Sequence, residues 1–367
     1  VIDLSLVPDG GLSWLDGSGP QAHIVLSTRI RLARNVERLA FATRGGAEDR
    51  ARVLGLVDAA WRDSPLGKGS VRFLLDELDG ADRVLLHERH LISRELTEAP
   101  SAREGGSGAA VFLSGSTGVM VNEEDHLRLQ TLRSGLALPQ AYAEVEQLDA
   151  ALGGAVPFAF HPEFGYLTAC PTNAGTGLRA SVLIHLPGLV LTKEIAKVLQ
   201  GLTQVGLTFR GLYGEGSEVV GNFFQLSNQT TLGKSEAELL DHLGKIVRQV
   251  VAYEEQARQV LLRDAPTVLA DKVWRAYGLL RYARSLTFEE TMNLLSGVRL
   301  GAGLNLIPGV SVYTLNKLLI FTQPAHLAAF EPPVPGDPEA GSARAGYVRR
   351  LLDEEAVRSA QARRPAS

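Results

Sequence analysis

Cysteine is almost absent from this chain. Cys170 is the one example in 367 residues, so no intramolecular disulfide can form and a disulfide-stapled secreted fold is excluded. No apolar run approaches the roughly 18 residues that a membrane-spanning helix needs. The first residues, Val1 to Ser5, lack the basic, apolar and small-residue regions of a secretory leader, and the reading is a cytoplasmic protein without a membrane role. Net charge is −4, so the chain lacks the basic field of a non-specific nucleic-acid binder. Lysine is scarce too: seven of the 37 basic residues are lysine and the rest arginine. A coding bias explains such a ratio, so an arginine here carries meaning by position rather than by type.

What is present is an ordinary globular composition, 45% hydrophobic and 21% charged. Residues 22–28 predict a buried strand leading into an arginine-rich turn. Helical spacing covers 47–62, and two short apolar runs at 110–113 and 118–121 predict a hairpin. A helix is expected over 139–152, strands over 166–170, 181–186 and 207–212, and helices over 189–204 and 236–262. Beyond Pro266 the pattern turns helical, at 267–284, 287–298, 310–321 and 344–361, interrupted by the proline-rich stretch 331–341. The expected architecture is α+β: a catalytic body over 1–262, with a mostly antiparallel sheet flanked by helices, and an α-helical unit over 266–362. Apolar residues such as Leu294, Leu295, Ile307 and Leu318 exceed what a small appendage needs, which suggests dimerisation or docking.

Four segments concentrate chemistry. Ser27-Thr28-Arg29-Ile30-Arg31 alternates two guanidinium groups onto one side of a strand, a pattern suited to polyphosphate because each fork can hold two oxygens. Asn122-Glu123-Glu124-Asp125-His126-Leu127-Arg128 places three acids in a tight turn between strands. Cys170-Pro171-Thr172-Asn173-Ala174-Gly175-Thr176 is small and turn-forming, and Arg179 opens the next strand. Arg210-Gly211-Leu212-Tyr213-Gly214-Glu215-Gly216-Ser217-Glu218 is a glycine-studded loop able to close over a substrate. Gly233-Lys234-Ser235 is not a phosphate loop, since Asn228 stands where that motif needs glycine, and His87-Glu88-Arg89-His90 is one residue too short for a zinc-protease helix. No cysteine and histidine spacing suggests structural zinc.

Together, and in this order, these runs resemble the phosphagen (guanidino) kinase family over about 23–235. The likeness is greatest to its bacterial protein-arginine kinases, through 210–218, Gly221-Asn222-x-Phe-Gln-x-Ser-Asn-Gln229 and the helical C-terminal unit. The resemblance implies that Arg29, Arg31, Arg128, Arg179 and Arg210 contact ATP phosphates and that His90 lines the nucleotide site. The nucleotide-contacting runs are then Ser27 to Arg31, Arg179-Ala180-Ser181-Val182-Leu183 and Arg210 to Glu215. It also implies that Glu124 and Glu218 hold the acceptor guanidinium, with Cys170 beside it. A buried inert cysteine is the alternative for Cys170. Metabolic members carry a further arginine where this chain has Tyr213, so the phosphate clamp differs.

A guanidinium is a cation with pKa above about 12 and a poor nucleophile, so two carboxylates that fix its plane and take a proton make chemical sense. Alignment and charge neutralisation, by arginines with Mg²⁺, supply most of what phosphoryl transfer needs. Metabolic relatives resemble one another in a helical domain ahead of the Ser-x-Arg-x-Arg strand; only 26 residues precede Ser27 here, which favours arginines displayed on proteins as acceptors. The resemblance further implies an activator protein, a Clp-type ATPase or protease downstream, and a homodimer through the C-terminal helices. Its short phosphoarginine-binding motif is reduced at 340–345 to Arg344 and Ala345. A kinase of free guanidino compounds and a non-catalytic adaptor that binds ATP or phosphoarginine are the competing readings.

Overall fold

The computed structural model describes residues 3, 12–41, 44–98, 107–212, 219–331, 336 and 340–362. Its centre is an eight-stranded sheet built from β1 (Val25–Arg34), β2 (Val71–Leu74), β3 (Ala110–Ser114), β4 (Thr117–Val121), β5 (Leu127–Ser134), β8 (Leu178–His185), β9 (Leu207–Arg210) and β10 (Phe223–Asn228). The order is β2-β3-β4-β5-β1-β8-β10-β9, and every neighbouring pair is antiparallel. β6 (Phe160–His161) and β7 (Gly165–Tyr166) form a separate small ribbon.

Successive side chains on a strand point to opposite faces, so each face of the sheet gets its own set. On one face Ile30 and Leu32 of β1, Leu129 of β5, Ala180 and Val182 of β8 and Leu226 of β10 enter the main core. That core is closed by α1 (Ala47–Asp63), α4 (Leu138–Gly153) and α7 (Glu236–Asp264), through residues such as Val57, Trp61, Val145, Leu148, Leu243 and Val247. Ser235 caps α7: its Oγ accepts the Glu238 N–H while Glu238 reaches back to the Ser235 N–H, an arrangement whose loss costs about 1 kcal/mol.

The other face is covered at one end by the C-terminal helices α8 (Pro266–Tyr282), α9 (Phe288–Gly303), α10 (Val312–Phe321) and α12 (Gly341–Ala362). Leu26, Leu183, Leu212 and Phe223 of the body join Val273, Leu295, Leu318 and Val348 in one core. Ile320 also packs with Trp14, Leu15 and Leu132. The short α11 (Pro324–Phe330) lies against α2 (Gly80–Glu88), with Ala325 and Ala329 against the cluster of Leu75, Leu85 and Leu86.

Several local expectations change. The strand expected over 22–28 runs to Arg34 with no arginine-rich turn, because Arg29 and Arg31 are paired on both sides by β5 and β8. The strand expected over 166–170 shrinks to Gly165–Tyr166, since Ala169 gives its N–H to Asp125 and Pro171 has none to give. The helix expected over 189–204 is two, α5 (Pro187–Leu191) and α6 (Ile195–Gln204), separated at Lys193, whose φ is +63°. The strand expected to reach residue 212 ends at Arg210, and α9 runs on to Gly303 rather than stopping at 298. β2, α2, α3 (Arg94–Thr97), β10 and α11 were not anticipated. Most of the stretch 331–341 lies outside the described residues.

Candidate active site

Register converts scattered arginines into one surface. Arg31 stands opposite Arg179 on β8 and Gln130 on β5, Ala33 stands opposite Arg128, and Arg29 stands opposite Ser181. Ser181 pairs Ser227, Leu183 pairs Gln225, and Gln225 pairs Arg210. Directly paired residues share a face, so Arg29, Arg31, Arg128, Arg179 and Arg210 all project from the side opposite the main core. The C-terminal helices close the far end of that same side.

Within this surface Arg29 donates from Nε and Nη2 to Gln130 Oε1, at 3.1 and 2.6 Å. Gln130 turns its amide nitrogen to the carbonyls of His90 and Leu91, at 3.1 and 3.3 Å. Arg179 reaches Ser227 Oγ at 3.5 Å, and Ser181 Oγ donates to the Arg29 carbonyl at 3.3 Å. Burial pushes Arg29 down to about 10, and the charges of Arg128 and Arg179 add to that, against Glu123. Arg31 is held well below the usual guanidinium range by burial first, then by Arg29, Arg128 and Arg179. Its Nε is buried with no hydrogen-bond acceptor among the described residues. Such a donor in a repelling cluster calls for an anion. His90 sits in the left-handed region at φ +60°, with its ring edge-on to Trp14 and its imidazole held neutral by burial and by Arg29.

The acid turn is rigid at its base. Asn122, at φ +57°, donates its amide to the carbonyls of Arg50 and Gly108, and its N–H goes to the His126 carbonyl. His126 Nδ1 accepts the Val36 N–H and Nε2 donates to the Ala40 carbonyl, a neutral tautomer consistent with its lowered pKa, which burial causes. Asp125, fully buried, accepts from the Asn35 amide and from the Ala169 N–H, both at 2.7 Å. The two neighbouring glutamates separate: the Glu123 side chain is 0% exposed and paired with Arg128, whereas Glu124 is 40% exposed, its carboxylate 3.6 Å from Arg128. Burial, then the nearby Asp125, raises the Glu124 carboxyl above its ordinary value.

Asp125 ties this turn to the loop of Cys170. There Cys170 Sγ lies 3.0 Å from Thr172 Oγ1, partly exposed, and the Cys170 carbonyl accepts from Thr168. Thr231 Oγ1 holds the loop from below through the carbonyls of Thr172 and Ala174. Gly175, at φ +105°, must be glycine: a Cβ there would meet the Thr231 carbonyl at 2.6 Å.

Not every expected residue faces this site. Thr28, Ile30, Ala180 and Val182 point into the main core, so any ligand contact there is through backbone, and Thr28 Oγ1 is spent on the Gly135 carbonyl. Ser27, Leu183 and Leu212 are buried at the end covered by the C-terminal helices. Gly211 follows β9 directly, while Tyr213, Gly214, Glu215 and Glu218 lie outside the described residues. Arg344 is 2% exposed and donates to the carbonyls of Thr322 and Leu286, pinning α12. Sequence reasoning missed Gln130, Glu123 as the partner of Arg128, and Glu95, whose carboxyl, against burial, is lowered by its own backbone N–H and then by Arg128, Ser93 and Arg31. Gln130 was detectable, since it continues the alternation begun by Arg128.

The arrangement puts five guanidinium groups on one sheet face, with the partly exposed Glu124 carboxylate 3.6 Å from Arg128. The sequence matches the family profile of the ATP:guanido phosphotransferase C-terminal catalytic domain over residues 58–257, and that of the protein-arginine kinase McsB C-terminal domain over 266–363. It is 45% identical over 354 residues to a protein-arginine kinase of Moorella thermoacetica, covering 95% of this chain and 99% of that one. Identity to a protein-arginine kinase of Bacillus subtilis is 40% over 352 residues, 95% of each chain. Among solved structures, the substrate-free duplicated taurocyamine kinase from Schistosoma mansoni superposes with a TM-score of 0.54 at 28% identity, over 70% of this chain and 34% of that one. A lombricine kinase shares the fold, with a TM-score of 0.56 at 22% identity over 69% and 70% of the two chains.

Proposed function

This chain belongs to the ATP:guanido phosphotransferase family, and from that membership we propose that it is a protein-arginine kinase, transferring the γ-phosphoryl group of ATP to arginine side chains of proteins. The observation that carries the reading is the buried, unsatisfied Arg31 Nε at the centre of five arginines on one sheet face, with Glu124 at its edge. Arg29, Arg31, Arg128, Arg179 and Arg210 hold the phosphates, and Gln130 aims Arg29. Glu124, with Glu218, fixes the plane of the acceptor guanidinium by paired hydrogen bonds. A guanidinium nitrogen attacks the γ-phosphorus, the bond from that phosphorus to the β–γ bridging oxygen breaks, and the proton of the attacking nitrogen passes to Glu124. ADP leaves. The raised Glu124 carboxyl makes its carboxylate a stronger base than an ordinary glutamate. Cys170 is a polar neighbour of the acceptor. Mg²⁺ bound with the nucleotide would supply charge neutralisation; among the described residues no group of three His, Cys, Asp or Glu is placed to cage it.

Protein rather than free arginine is the acceptor, a reading supported by the relatives' own activity and by the matching C-terminal domain. The same reading carries a two-unit division at 262–266, a cytoplasmic setting, an activator protein, and delivery of marked proteins to a Clp-type protease. It also carries a homodimer through the C-terminal helices, supported by the exposed stripe of Val268, Leu279 and Tyr282 on α8.

Incubation with ATP and casein, followed by mass spectrometry under non-acidic conditions, tests the assignment. Acid-labile phosphate on arginine, lost in Glu124→Gln, is expected. Turnover of free L-arginine with none on casein, or phosphate confined to Ser, Thr and Tyr, overturns it.

A further inference from the structure

Outside the arginine face, one buried polar cluster joins the C-terminal unit to the body. Glu88 and Arg89, at the end of α2, both grip His326 of α11. Glu88 Oε1 accepts the Ala325 N–H at 2.9 Å, and Oε2 accepts the His326 N–H at 3.0 Å. His326 Nε2 accepts from Arg89 Nε at 3.0 Å, so the ring proton must sit on Nδ1, which is 2.8 Å from Glu88 Oε2. All three residues are buried, His326 at 1% exposure, and Phe321 packs against both the Arg89 guanidinium and the His326 ring. Buried groups so matched in donors and acceptors have one arrangement, because any shift strands a charged group without its partner.

The next residue along the chain is His90. Its backbone leaves the helix in the left-handed region, and its carbonyl takes the Gln130 amide whose oxygen holds Arg29. A continuous run of bonds therefore leads from α11 through residues 88–90 and Gln130 to the phosphate clamp. Nothing in catalysis requires α11 to touch a reactant; it fixes the turn that sets the Gln130 amide, and that amide leaves Arg29 one direction in which to point.

Resting on the kinase reading, we propose that His326 is a positioning residue for nucleotide binding, by which the C-terminal helical unit sets the aim of Arg29. It acts through Arg89 rather than on the substrate. The structure thereby assigns the C-terminal unit a part in the ATP site, besides its packing.

Three variants of the full chain test this by titration with a fluorescent ADP analogue, alongside thermal melts and KM for ATP. His326→Gln keeps an acceptor for Arg89 and is expected to bind within about twofold of wild type. His326→Asn keeps the donor to Glu88 but withdraws that acceptor, and nucleotide affinity should fall about tenfold, with KM for ATP rising and kcat changing less. Phe321→Leu removes the ring on which both side chains lean without stranding a polar group, and should weaken binding about threefold. Equal affinity in the folded variants, or a lowered melting temperature with unchanged affinity, overturns the proposal. A wild-type protein that binds the ADP analogue but phosphorylates no arginine counts against the kinase reading alone.

Discussion

Asp125 Oδ1 accepts the backbone N–H of Ala169 at 2.7 Å, one residue before Cys170. The same oxygen takes the Asn35 amide, whose nitrogen also reaches the Leu167 carbonyl at 3.0 Å. The acid turn and the thiol loop, 45 residues apart in sequence, are therefore tied together through one buried carboxylate. Asp125→Ala removes a buried, doubly used acceptor and should cost about 2–4 kcal/mol, because two donors lose their partner. Urea melts check the stability. Turnover should fall further than the folded fraction does, since Glu124 and Cys170 lose their common mount.

Glu124→Gln should lower kcat by about 10²- to 10⁴-fold while leaving the melting temperature at pH 7 unchanged or slightly raised. The sign follows from the raised carboxyl. The folded state binds the Glu124 proton more tightly than the unfolded chain does, so this group favours folding at acid pH and loses that contribution as pH rises through the folded pKa. Glutamine never ionises and escapes the loss. For the same reason the acid limb of the wild-type rate profile should lie above that of an ordinary glutamate. An acid limb at or below the ordinary carboxylate range contradicts this.

Arg31→Met should trade binding for stability. The arginine is half-buried among like charges, its Nε buried and unsatisfied among the described residues, so its removal leaves the nucleotide-free protein as stable or more so. Nucleotide affinity should fall by 10-fold or more, on the order of one charge-assisted bond. ATP at about 100 times its Kd stabilises the wild type by about 2.7 kcal/mol, and the variant should show much less at the same concentration. Thermal shift with and without ATP reads both effects.

Arg344 serves structure in this chain. Its guanidinium is buried and donates to the carbonyls of Thr322 and Leu286, so Arg344→Ala should destabilise by about 2–3 kcal/mol. Free phosphoarginine should leave the rate of casein phosphorylation unchanged. Stimulation by phosphoarginine that Arg344→Ala abolishes without loss of stability would contradict this.

Much of the site was legible because its chemistry lies in short runs. Arg29 and Arg31 alternate along one strand, and the run from Asn122 to Arg128 declares a tight turn between strands. Hidden from such reading were the division of labour between Glu123 and Glu124, identical in type and adjacent in sequence, and the partner of Arg29. The loop of Cys170 looked like a strand because Tyr166 to Cys170 is apolar enough. Its backbone donors are instead committed to a carboxylate that no local pattern links to it.

By itself the sequence determined the family and the antiparallel body with its helical C-terminal unit, through the likeness of its motif runs, and it named the arginines and glutamates that are candidates for the site. The family follows from the resemblance of whole motif runs, and the candidate residues from side-chain type and alternation along a strand, which are local properties. Only the tertiary structure decided that five arginines share a face, that Glu124 turns outward while Glu123 is spent on Arg128, and that His326 meets Arg89. Strand register and burial arise from segments far apart in the chain, and a change of one residue in register would send the arginines of β8 or β5 to the opposite side.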